Sequence, residues 1–158
     1  KSWSKNRILK IRNPNATRPW QHVLEPISGY LQLAAELYKE DEFTGESFNF
    51  GPSPRNEFTV KKLIIEMSSY WKNAKWCFQN KKNKNSKISE SVLLKLNCNK
   101  AYKFLGWKQN LNFKQTVQFT VEWYINYYSK KINLKEFTEN QIREFIKIAK
   151  KNKLRWIT

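Results

Sequence analysis

The sequence predicts a mixed α/β fold whose strands form an incomplete sheet. Three observations predict it. Short apolar runs of strand length are interspersed with amphipathic stripes of helical spacing. Their order is strand, strand, helix, strand, helix, strand, strand, helix, helix, helix, which lacks the regular βαβ alternation of a complete doubly wound sheet. Gly-Pro, Asn and Gly breakers stand where the runs change type.

Residues 7–13 read as the first strand, and Pro14 with Asn15 as the turn that closes a hairpin. Residues 18–23 read as the second strand. A period of two puts Arg18, Trp20 and His22 on one face, and Pro19 favours an edge. Pro26 suits an early helical position. From there Ile27, Tyr30, Leu31, Ala34, Leu37 and Tyr38 recur at helical spacing, up to the charged end at Glu40, Asp41 and Glu42. Residues 47–50 read as a short strand running into Gly51-Pro52. Thr59 caps a helix whose stripe is Val60, Leu63, Ile64, Met67 and Trp71.

Residues 75–78 make another short strand, 79–91 a polar basic loop, and 92–96 a further apolar run. Asn97 opens a short helix that stops at Gly106. Asn112 caps the longest helix, with Phe113, Val117, Val121, Tyr124 and Tyr128 on one side. Thr138 and Gln141 fit a capping box for the last helix, which runs to about Asn152.

The chain has 158 residues, 40% of them apolar and 15% aromatic, which is one folded domain's worth of material. It begins at Lys1, its only Met is Met67, and no apolar segment follows the first charges. That reads as a chain lacking its N-terminal part and carrying no signal peptide. No apolar run approaches the roughly 20 residues that span a bilayer. Cys77 and Cys98 have neither metal-ligand nor disulfide spacing, so a cytoplasmic protein with reduced thiols is expected, with no metal. The formal charge of +17 raises nucleic-acid binding. The Lys residues are scattered, however, and Asn and Ile are abundant too, as compositional drift would give. No specific nucleic-acid partner is expected.

The stretch IRNPNATRPWQHVLEPISGYLQLAAELY at 11–38 resembles the CDP-glucose 4,6-dehydratases of the extended short-chain dehydrogenase/reductase family. SFNFGP at 47–52, LLKLNCNKAYKFLGW at 93–107 and TVEWY at 120–124 resemble later segments of the same family, in order and at similar spacing. The resemblance implies that residues 1–128 are the C-terminal, substrate-binding portion of such an enzyme. Residues 129–158 would be a helical extension, and an N-terminal Rossmann domain binding NAD would be absent. In that family the bound NAD oxidises the sugar at position four, water leaves across positions five and six, and the hydride returns to position six. The substrate implied is CDP-glucose. Dimerisation is common in the family, through helices of the N-terminal half. A sugar-nucleotide-binding module without catalysis is the alternative, and a basic nucleic-acid binder a further one.

By the same resemblance Arg18 binds the substrate diphosphate, a task suited to a planar guanidinium that stays charged. His22 is the only His; it stands near the nucleotide or the domain interface. Lys87 is a phosphate contact, in a loop where the family carries His-Pro-His-Glu and this chain retains only Glu90. No catalytic residue is expected. Tyr127 and Lys131 have the family's Tyr-x-x-x-Lys spacing, but they follow the substrate-domain helix, whereas the family's pair lies upstream. The four glycines make no Gly-rich phosphate turn. Helices that pack on a Rossmann half should expose apolar patches when that half is missing.

Overall fold

The computed structural model describes residues 1–39, 41–53, 58–79 and 96–157. Strands β1 (Leu9–Ile11) and β4 (Trp76–Phe78) pair in parallel, with Leu9 opposite Trp76 and Ile11 opposite Phe78. Strands β2 (Thr17–Arg18) and β3 (Phe58–Thr59) pair antiparallel, with Arg18 opposite Phe58. Helices α1 (Leu24–Lys39), α2 (Val60–Tyr70), α3 (Phe113–Ser129) and α4 (Leu134–Lys151) supply most of the regular secondary structure among the described residues. A parallel pair needs a long crossover, and α2 lies within it. The fold is mixed α/β, with two small sheets among the described residues.

Local chemistry explains the helix starts. The Thr59 hydroxyl accepts the Lys62 N–H at 3.2 Å, as expected for the cap of α2. Asn112 and Gln115 form a reciprocal capping box on α3. Gly106 ends the π-helical turn Ala101–Leu105 at φ 65°, a conformation that glycine adopts without strain.

Several expectations are corrected. The first two strands do not form a hairpin, because each takes its partner from much later in the chain. The second strand ends at Arg18. Pro19 brings no N–H to continue the ladder, and the Trp20 N–H turns back to the Arg18 carbonyl. Residues 47–50 join no sheet; the Phe50 carbonyl is taken by the Gln21 side chain instead. The last helix starts a turn earlier than Thr138. Asn133 Oδ1 accepts the Lys135 and Glu136 N–H groups, while Thr138 bonds back to the Leu134 carbonyl. It is also the longest helix, at 18 residues against 17 for α3. Apart from Gln79 and Leu96, the expected loop at 79–91 and the run at 92–96 lie outside the described residues, and with them Lys87 and Glu90; Glu40 does too.

The core is built in patches. Trp3, Ile11 and Ile64 join β1 to α2, and Phe113, Val117 and Val121 join α3 to α2. Leu111, Phe119 and Phe145 join α3 to α4, and Phe50, Ala101, Leu105 and Trp107 form a fourth patch. Helix α1 turns an unexpected face inward. Its buried residues are Glu25, Ser28, Gly29 and Gln32, whereas Tyr30, Leu31 and Tyr38 of the apolar stripe are exposed. Gly29 permits this close approach, since a Cβ there would stand 2.3 Å from the Phe50 ring.

Candidate ligand-binding site

The segment from Arg18 to Glu25 ties together the elements around the site. Arg18 is half-buried on β2, and its Nη1 donates to the Thr17 carbonyl at 2.7 Å. Trp20 packs inward and donates its indole N–H to the Phe58 carbonyl at 2.7 Å. Gln21 donates to the Phe50 carbonyl at 2.9 Å. His22 comes next, at the start of α1, where Nδ1 accepts the Leu24 N–H at 3.3 Å. That bond assigns the proton of the neutral ring to Nε2.

His22 is buried edge-on against Phe119, with ring centroids 5.7 Å apart. Burial pushes its pKa down to about 4, so the ring is neutral at physiological pH. The strand that would have put His22 on the Arg18 face stops at Arg18.

Glu25 was not singled out from the sequence, yet it is the most constrained polar residue of this segment. Its side chain is completely buried in the first turn of α1. The carboxylate accepts the Asn110 N–H at 2.9 Å and the Leu111 N–H at 2.7 Å. Desolvation raises its pKa to about 7, although both backbone bonds pull the other way. The available signal was the polar and small set Glu25, Ser28, Gly29 and Gln32, which recurs at helical spacing and marks a close-packed face.

Residues 107–112 are held from two further directions. Trp107 donates its indole N–H to Ser28 Oγ at 3.1 Å. Asn110 donates its side chain to the Phe145 carbonyl at 2.8 Å, and Asn152 donates to both the Asn110 carbonyl and its Oδ1. This wall and Gly51–Ser53 bound a cavity of about 740 Å³, a size that suits a small organic ligand. Asn97, Asn99 and Tyr102 line it from another side, and Cys98 with them. Gly51 lies close to its neighbours there: a Cβ would come within 2.9 Å of the Leu96 side chain and 3.3 Å of Cys98 Sγ, and those side chains would have to shift. Neither Arg18 nor His22 is among the described residues lining the cavity. The Gln21–Phe50 bond links their segment to its Gly51 wall.

The described residues contain no group of three or more His, Cys, Asp or Glu that could hold a metal ion. The Tyr127–Lys131 spacing does not lie on one helix face. Helix α3 ends at Ser129, Lys130 turns left-handed, and the Tyr127 ring stacks on Trp123 at 5.3 Å. Nor do these residues fit a dinucleotide cofactor. Gly29 is spent on helix packing and Gly106 on a helix stop, and no glycine turn follows β1. No described helix is long and apolar enough to cross a membrane.

Comparison with known proteins agrees with the motif resemblance. Over 125 residues, 78% of its length, the chain is 37% identical to the CDP-glucose 4,6-dehydratase of Salmonella typhimurium. It spans about a third (34%) of the length of that curated relative. No family model matches the chain.

Proposed function

We propose that this chain is the substrate-binding portion of a nucleotide-sugar 4,6-dehydratase that converts CDP-glucose to its 4-keto-6-deoxy product. The observation that carries this reading is the 37% identity to a CDP-glucose 4,6-dehydratase across most of the chain. NAD supplies the redox chemistry in such an enzyme and belongs here to an N-terminal Rossmann domain, since the described residues do not fit it. The parent enzyme acts as a cytoplasmic homodimer.

Arg18 takes the diphosphate. Its guanidinium matches phosphate oxygens in shape and charge, and β2 pairing fixes its backbone. Lys87 adds a second cation. His22 serves the site from behind: neutral and buried, it caps the start of α1 and carries no proton to the substrate. The 158-residue chain alone binds CDP-glucose and does not turn it over.

Titration calorimetry with CDP-glucose tests the reading. Arg18→Ala should weaken binding by roughly tenfold or more, the worth of a charge-assisted hydrogen bond. Failure of the unaltered chain to bind CDP or CDP-glucose would sink it. The +17 charge supports a second reading, a basic nucleic-acid binder. Salt-sensitive binding to arbitrary DNA that exceeds CDP binding would favour that one.

A further inference from the structure

The cavity between Gly51–Ser53 and residues 107–112 contains a feature that the motif reading leaves unassigned. Among its described lining residues Lys108 is the one cation. Its Nζ sits 5.2 Å from the centroid of the Tyr102 ring, which also lines the cavity. A cation–π contact of this kind holds the ammonium in place without neutralising it.

The backbone on both sides of Lys108 is immobilised. Trp107 is pinned to Ser28, and Asn110 with Leu111 to Glu25. The ammonium is carried by a rigid wall, and the remaining described lining is uncharged, its amides, hydroxyls and rings set among apolar surface that includes Pro52, Leu96 and Leu111. One positive charge beside an uncharged, largely apolar lining suits a ligand with one anionic and one neutral part.

We propose, resting on the sugar-nucleotide reading above, that Lys108 is a phosphate contact at this cavity, a contact separate from that of Arg18. The neutral part of the ligand then lies along Asn97, Asn99 and the Tyr102 ring. Lys108 is exposed, so its replacement leaves the core intact.

The test is titration of the chain with CDP, inorganic pyrophosphate and uncharged cytidine, comparing wild type with Lys108→Met and Lys108→Arg. Lys108→Met should weaken CDP and pyrophosphate roughly tenfold and leave cytidine unchanged. Lys108→Arg should retain binding. Wild-type affinity for CDP and pyrophosphate in Lys108→Met would overturn the assignment, and if CDP is still lost in Arg18→Ala the sugar-nucleotide reading survives alone. Pyrophosphate binding that depends on Lys108, with no binding of CDP or CDP-glucose, would leave the phosphate contact standing and remove the sugar-nucleotide reading. Binding of neither ligand by the wild type would remove both.

Discussion

The Glu25 carboxylate accepts the Leu111 backbone N–H at 2.7 Å, across 86 positions of the chain. With its second bond to Asn110, it fastens the start of α1 to the wall of the cavity. A buried N–H without a partner costs free energy, and here one side chain satisfies two. Glu25→Ala should therefore lower stability by about 2–4 kcal/mol, as two orphaned donors imply. Glu25→Gln keeps one acceptor and should lose less. Urea denaturation of the three proteins checks the order.

Glu25 and His22 give stability opposite pH dependences. His22 falls from 6.5 to about 4 on folding. Its contribution is complete above pH 6.5 and is lost as pH falls towards 4. Glu25 rises from 4.5 to about 7. Its contribution is complete below pH 4.5 and is lost as pH rises through 7. Between pH 4.5 and 6.5 the two slopes oppose each other, at about 1 kcal/mol per pH unit each. Glu25→Gln should therefore make stability climb more steeply with pH than in wild type, and His22→Gln should tilt it the other way. Urea midpoints at three pH values in this window measure both slopes. Parallel profiles for the two variants would contradict the opposition.

Gly29→Ala should destabilise the chain by about 1–3 kcal/mol through overpacking. The added methyl would meet the Phe50 ring at 2.3–2.7 Å. Phe50→Leu in the same background should recover part of the loss, by vacating the contacted space. Thermal melts of the single and double variants check the coupling. Additive losses would show that the clash is relieved elsewhere.

Asn152→Ala should loosen the cavity wall while leaving helix α4 folded. Asn152 is exposed, and it donates to both oxygens of Asn110. Hydrogen exchange at residues 107–112 should accelerate several-fold, with that in the middle of α4 unchanged. Equal exchange in both proteins would show that Glu25 and Phe145 suffice to hold Asn110.

Whatever depends on neighbours a few positions away was legible along the chain. Thr59 and Asn112 cap α2 and α3 as read, because a side-chain oxygen reaches an N–H three residues on. Gly106 stops its helical turn for an equally local reason. The motifs also carried the resemblance that the comparison met. Where two local signals competed, the reading failed: Asn133 outranked Thr138 as a cap, and Pro19 cut short the strand meant to align Arg18 with His22. Which strands pair, and which side of α1 faces inward, followed from long-range packing. The apolar stripe of α1 predicted a helix, yet Glu25, Ser28, Gly29 and Gln32 are the residues that are buried. The physical reason is that their partners, Phe50, Leu105, Trp107 and Asn110 among them, lie some 20 to 85 residues away. Periodicity records that a helix has two faces, and only the packed chain supplies the polar partners that make the polar face the inner one.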